Sequence, residues 1–242
     1  MNSTPPSSGD SLHLREQIEH SLREWCAQAG GCEHRFPSLI AAETLNRAEY
    51  PYAFPQLLMG AAVADDPTQG FVNTRPAPWF LSPAVCYHVY ADFAGQTLRD
   101  GAMISAQGTC FRFENEAELA VGRRQIEFGM RELVLLGTGA WIEEKIERLQ
   151  PQVTTLGERV DPAVQWCPAN DPFFLPRARG KAHLQRLRGL KWELCLPDGL
   201  AIASINRHGP FFGERFEICD AAGEPIHTAC IAFGIDRWIS KA

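Results

Sequence analysis

Eight cysteines, at positions 26, 32, 86, 110, 167, 195, 219 and 230, are the residues best able to hold a soft metal in this chain. No CxxC pair occurs among them, which excludes a zinc ribbon, so any metal site has to be assembled from residues distant in sequence. Two thiolates and a carboxylate make a zinc set that leaves one tetrahedral position open, able to take a neutral amine. Cys86, Glu132 and Cys230, separated by 46 and 98 residues, are one such set. Cys110, Cys195 and Cys219 also fall on strand-like stretches, and spacing alone does not choose among the alternatives. Charged side chains offer a second chemistry. Arg112 and Glu114 alternate onto one face of Gln107–Glu114, where the residues alone read as an ion pair on a solvated surface. Arg177, Arg179, Lys181, Arg186 and Arg188 form the one strongly basic run, a solvated helix face or a docking patch for an acidic protein partner.

These residues need elements to hold them. Leu14, Ile18, Leu22 and Trp25 share a helical face, which predicts a helix over Ser11–Ala29 ending at Gly30-Gly31, after a disordered lead of residues 1–10. Two Phe-Pro pairs, at 36–37 and 54–55, bracket a second helical stretch. Cys86 lies in the dense apolar run Leu81–Tyr90, where a cysteine is usually packing. Gln107–Glu114, a polar loop over Asn115–Gly122 and Phe128–Leu136 read as a hairpin, followed by a helix over Ala140–Leu149. The tail reads as a β meander: Lys191–Leu196, Leu200–Ile205, Phe216–Cys219 and a closing strand from Ile226. That last strand turns at Gly234 into a helix start carrying Arg237. Helices and antiparallel-type strands without a βαβ rhythm predict an α+β fold, as one domain over residues 11–242.

Length and composition agree. A chain of 242 residues, 45% hydrophobic and 21% charged, can bury a full core and suits a globular protein. A net charge of -6 gives no electrostatic reason to bind nucleic acid. No run of 18 apolar residues and no signal peptide is seen, so a cytoplasmic protein with reduced thiols and no membrane span is expected.

Five phrases then occur in one order: Pro83-Ala84-Val85-Cys86-Tyr87, Cys110-Phe111-Arg112-Phe113-Glu114, Met130-Arg131-Glu132, Asp171-Pro172-Phe173-Phe174 and Ala229–Trp238. From about Phe36 to Trp238 the chain resembles the amino acid:carrier-protein ligases, truncated homologues of the zinc-dependent seryl-tRNA synthetases of class II. The resemblance implies a class II catalytic domain that activates a small amino acid, glycine or alanine class, with ATP and Mg²⁺. The aminoacyl group then passes to the phosphopantetheine thiol of an acidic carrier protein. It implies Zn²⁺ on Cys86, Glu132 and Cys230, with Glu127 a nearby alternative to Glu132. Arg112 would hold the α-phosphate, Glu114 the adenine, Arg237 the far side of the nucleotide, and Asn206 would lie near the nucleotide site. It also implies a homodimer. One short N-terminal helix in place of the seryl-type helical arm argues against tRNA as the acceptor. Two departures stand out: five residues follow Arg237, where class II enzymes continue into a longer helix, and Leu200–Asn206 lacks the acidic Mg²⁺ ligand of seryl-tRNA synthetases.

Overall fold

The computed structural model describes residues 9–65, 68, 74–114, 119, 123–171 and 189–240. Helix α1 (Gly9–Gln28) begins two residues before the predicted start and stops ahead of Gly30, whose φ of 74° suits glycine. Its stripe of Ile18, Leu22 and Cys26 is buried, as the periodicity requires. Residues 1–8 of the expected lead lie outside the described residues.

The chain continues through β1 (Cys32–Arg35), β2 (Leu39–Ala41), α2 (Ala42–Arg47), α3 (Tyr50–Ala53), β3 (Gly60–Ala64) and β4 (Thr74–Leu81). Then come α4 (Cys86–Asp92), β5 (Thr97–Leu98), β6 (Ala102–Phe111), β7 (Glu127–Gly137), α5 (Gly139–Glu158), β8 (Gln165–Pro168) and β9 (Lys191–Cys195). Strand β10 (Ala201–Gly209), α6 (Phe211–Phe216), β11 (Cys219–Asp220), β12 (His227–Gly234) and α7 (Ile235–Ile239) complete it. Seven strands form the main sheet in the order β1-β6-β7-β12-β10-β9-β8. Every neighbour in it is antiparallel except β1 and β6, which run parallel with Cys32 opposite Ile104. Strands β2, β4 and β3 make a separate small sheet, and β5 pairs with β11.

Alternation along the strands divides the core in two. Leu133 and Leu135 of β7 face α1, α5 and α7, in a layer with Ile146, Leu194, Ile205 and Trp238. Val134 and Leu136 face α4 and α6, in a layer with Val85, Val89, Phe212 and Ile226. The second layer surrounds the cavity described below.

Three elements differ from expectation. Helix α5 runs through Pro151 to Glu158, well past Leu149. A proline inside a helix sacrifices one backbone bond. The buried stripe of Ile142, Ile146 and Leu149 nevertheless continues through Val153 and Leu156, so apolar burial outweighs that loss. Strand β6 ends at Phe111 rather than Glu114 because the Phe113 amide turns away to donate to the Leu57 carbonyl at 3.0 Å. The tail is not a plain meander: α6 ends at Phe216, and Cys219 pairs with Thr97 outside the main sheet. There, Glu49 and Glu217, the two described non-glycine residues with positive φ, bind Arg215 and Arg47 respectively, clasping α6 to the α2–α3 corner. No helix among the described residues is long and apolar enough to cross a membrane.

Candidate active site

The register of the sheet assembles the site. On β7, Glu132 faces away from α1, opposite Ala232 of β12. Ala232 stands opposite Ser204 of β10, and Ser204 opposite Glu193 of β9. One step along, Cys230 of β12 stands between Val134 and Asn206. Cys86, the first residue of α4, comes down onto this face from above, where the Val85 amide donates to Glu132 Oε1 at 3.2 Å.

The result is a compact donor set. One ligand atom each from Cys86, Glu132 and Cys230 lies within 4.8 Å of the others, and all three residues are buried. It is the one group of three His, Cys, Asp or Glu side chains found so close together among the described residues. Glu127 sits exposed at the start of β7, apart from this set. Of the competing cysteines, Cys110 turns its thiol to Met130 Sδ at 4.0 Å, Cys195 lies on β9 and Cys219 in the small ladder with β5.

The three acids oppose one another's ionisation. The Cys86 thiol is held well above its ordinary range by its hydrogen bond with Cys230, by burial and by the Glu132 carboxylate. The bond to Cys86 lowers Cys230, but burial and Glu132 outweigh it and leave that thiol raised as well. Burial raises Glu132 in spite of the hydrogen bonds it accepts from both thiols. A divalent cation reverses this balance, because its charge favours every deprotonated ligand.

Cys86, Arg112, Glu114, Glu132, Asn206, Cys230 and Arg237 all line one cavity of about 240 Å³. Arg112 is steered by the Pro83 carbonyl, which accepts from Nε at 3.1 Å, and its guanidinium lies 5.2 Å over the Phe128 ring. Glu114 pairs with Arg124 at 2.8 Å, not with Arg112, so the surface ion pair does not form. Arg237 donates to the carbonyls of Arg123 and Ala201, both at 2.8 Å. Beside it, Trp238 Nε1 donates to the Ile202 carbonyl at 2.6 Å, anchoring α7 to β10. Burial and the neighbouring Arg112 charge hold the Arg237 guanidinium below its ordinary range. Two cations that repel across a cavity are placed to share an anion. The Asn206 Nδ2 donates to Ser204 Oγ at 3.0 Å and to Cys230 Sγ at 3.4 Å, which ties Asn206 to the sulfur cluster. The basic run from Arg177 to Arg188 lies outside the described residues.

Sequence reasoning read Lys191–Leu196 as an alternating strand but gave Lys191 and Glu193 no role, and placed Asp171 only within a quoted phrase. Lys191 Nζ binds Asp171 Oδ1 at 2.6 Å and Glu193 Oε1 at 3.2 Å, and all three residues line the cavity. The period-2 alternation of Lys191 and Glu193 was the available signal. His208 also lines the cavity, between the Tyr90 hydroxyl and Thr228 Oγ1, each 3.3 Å from Nδ1. Burial pushes its imidazole down to about 4, against a partial upward pull from Asp171. A histidine neutral in the fold and protonated when unfolded supplies stability that is complete above pH ~6.5 and declines as pH falls toward 4. With allowance for screening by solvent in the open cavity, the loss is on the order of 2 kcal/mol. Urea unfolding of His208→Gln should therefore lose less stability than the wild type between pH 7 and pH 4.5; equal losses would show that His208 does not titrate in this way.

No protein-family model matches the chain. It is 32% identical over 256 residues to amino acid–acyl-carrier-protein ligase 1 of Bradyrhizobium diazoefficiens, covering 94% of this chain and 78% of the relative. It is 35% identical over 230 residues to ligase 2 of the same organism, spanning 66% of that relative's length. The type-2 serine–tRNA ligase of Methanocaldococcus jannaschii is 26% identical over 267 residues, and the chain spans 50% of it. Among solved structures, M. kandleri SerRS in complex with A. aeolicus tRNASec superposes with a TM-score of 0.71 at 21% identity, over 98% of this chain and 53% of that one. Giardia lamblia prolyl-tRNA synthetase in complex with prolyl-adenylate gives a TM-score of 0.69 at 16% identity, over 98% of this chain and 48% of that one. The mixed sheet with its flanking helices is thus the class II aminoacyl-tRNA synthetase fold, and by its identity and coverage the chain belongs to the amino acid–acyl-carrier-protein ligases, a family of ligase enzymes.

Proposed function

We propose that this chain activates a small amino acid of the glycine or alanine class with ATP and transfers it to the phosphopantetheine thiol of an acidic carrier protein. The observation that carries this reading is the buried set of Cys86, Glu132 and Cys230 on the wall of the cavity that also receives Arg112 and Arg237. The set fits zinc by its donor chemistry and its spread: two sulfurs and one oxygen within 4.8 Å accommodate metal–ligand bonds of about 2.0–2.3 Å. Zinc held there supplies an open coordination position for the substrate's neutral α-amino group.

The chain's own residues do the rest. Arg112 and Arg237, fixed by backbone carbonyls, face the negative charge that builds on the α-phosphate as the substrate carboxylate displaces pyrophosphate. No general base is needed, because a carboxylate is already ionised at neutral pH. Glu114, on the cavity wall, receives the adenine amino group in this reading. ATP enters with Mg²⁺, and Asp171, Glu193 and Asp236 are the further carboxylates on the cavity wall. The names of the two Bradyrhizobium relatives support a carrier protein as the acceptor, and the basic run at 177–188 is the proposed docking patch. Exposed Leu39, Val63 and Trp79 on the small β2-β4-β3 sheet support a homodimer.

The test is amino-acid-dependent ATP–pyrophosphate exchange across a panel of small amino acids, with and without a zinc chelator. Exchange with glycine or alanine that disappears on chelation is the expected result. Folded, zinc-containing protein that exchanges with no amino acid would instead be a binding paralogue.

A further inference from the structure

The row of side chains that begins at Glu132 does not end at Glu193. Glu193 of β9 stands opposite Cys167 of β8, so five consecutive strands contribute one row: Glu132, Ala232, Ser204, Glu193 and Cys167. Cys195 lies two residues along β9 from Glu193, on the same face, and so sits diagonally across from Cys167. Both thiols are free and only partly buried, unlike the sulfurs of Cys86 and Cys230. The Cys195 thiol donates to the Glu193 carbonyl at 3.7 Å, and burial together with the neighbouring Cys167 holds it above its ordinary range. Among the described residues, strand β8 is the outer edge of the sheet, paired on one side by β9 and ending at Pro168. Nothing in the proposed activation chemistry uses this pair.

We propose that Cys167 and Cys195 form a dithiol modification site, which a hydroperoxide closes to a disulfide that alters ATP binding through Glu193. The Cys167 thiolate attacks the peroxide O–O bond, taking one oxygen as a sulfenic acid and releasing the other as water or an alcohol. Cys195 Sγ then attacks the sulfenic sulfur; the S–S bond forms, the S–O bond breaks, and the oxygen leaves as water. Two thiols are oxidised and one peroxide is reduced. Closure moves the backbone. Diagonal neighbours in an antiparallel pair lie roughly 7–8 Å apart at Cα, and a disulfide holds them at about 4.4–6.8 Å. The edge strand, with one neighbour among the described residues, is the side freer to yield. The pull falls on the residue opposite Cys167, which is Glu193, and on Lys191, whose carbonyl accepts from the Ala169 amide at 3.1 Å. Both line the cavity. The effect on ATP rests on the nucleotide reading above; the bond itself does not.

Wild type, Cys167→Ser and Cys195→Ser chains are treated with dilute hydrogen peroxide and mapped by peptide mass spectrometry. Tryptophan fluorescence is followed in parallel, since Trp166 and Trp192 adjoin Cys167 and Glu193 in sequence. The expected result is a Cys167–Cys195 cross-linked peptide lacking two hydrogens, a fluorescence change in wild type alone, and reversal of both by dithiothreitol. ATP affinity of the oxidised wild type should fall by about threefold or more relative to oxidised Cys167→Ser, which keeps every other cysteine as a control. Absence of the linked peptide, or sulfinic acid at Cys167 in its place, would overturn the site. A linked peptide with ATP affinity equal to the control would overturn the coupling, and ATP binding by neither protein would count against the nucleotide reading instead.

Discussion

Cys230→Ser is expected to lose bound zinc and, with it, amino-acid-dependent pyrophosphate exchange. Cys230 is 3% exposed, and its sulfur both belongs to the donor set and accepts the Asn206 amide. Serine nearly preserves the side-chain volume and can keep that hydrogen bond, so the packing of β12 should survive. A hydroxyl is a poor zinc ligand at neutral pH, however, because the metal needs a thiolate here. Losing even a supporting neighbour of a metal ligand costs about 10–100-fold in affinity or activity, and losing the ligand itself should cost at least the upper end of that range. Metal content by mass spectrometry, exchange rate and circular dichroism would be measured on the same preparation. A folded variant that exchanges at the wild-type rate without zinc would remove the metal from the reaction.

Arg131→Ala should be the most destabilising of the substitutions considered, by about 3–5 kcal/mol in urea unfolding at neutral pH. Arg131 is 0% exposed on β7. Its Nη1 donates to Glu33 Oε1 and Ser105 Oγ and its Nη2 to Gln107 Oε1, all at 2.8 Å, and Glu19 of α1 lies 3.6 Å away. Removing the cation leaves two carboxylates, the buried Ser105 hydroxyl and the half-buried Gln107 amide without their shared donor, and opens space beneath α1. Glu33→Gln should cost far less, about 1 kcal/mol, because Glu33 is exposed enough for water to take over. Equal losses for the two variants would mean that the ion pair with Glu33 alone matters, and not the network.

Arg131 also shows where sequence reading stopped. Met130-Arg131-Glu132 was legible as a functional phrase, and strand alternation sends Glu132 to the cavity and Arg131 to the opposite side, under α1. The first role matches a pattern of residue types. The second depends on Glu19, Glu33, Ser105 and Gln107 arriving from three other elements, which no local pattern announces. The hairpin of β6 and β7 and the turn into α7 were legible because period-2 runs and Gly234 mark them. The far half of α5 was not: local chemistry says that Pro151 ends a helix, and only the core beneath Val153 and Leu156 overrides it. Lys191 and Glu193 were missed because alternation on a short strand does not say which face the sheet turns toward a cavity, and Asp171, on no strand, reaches it only through the tertiary fold.

The one parallel pairing in the main sheet has a consequence for the order of folding. The β6–β7 hairpin brings Phe111 against Glu127, and β9 reaches β10 through a turn that closes Cys195 onto Ala201. Joining β1 to β6 requires Cys32 to find Ile104 across the whole intervening segment, 72 residues away. Loop-closure entropy grows with separation, and distant pairings are reached slowly. The β6–β7 and β9–β10 hairpins therefore pair early, while the β1–β6 and β7–β12 pairings, whose partners lie 72 and 90–104 residues apart, close later. Arg131 on β7 waits for Glu19 and Glu33 to complete its shell, so a late step of assembly is also one that neutralises a charge in the core.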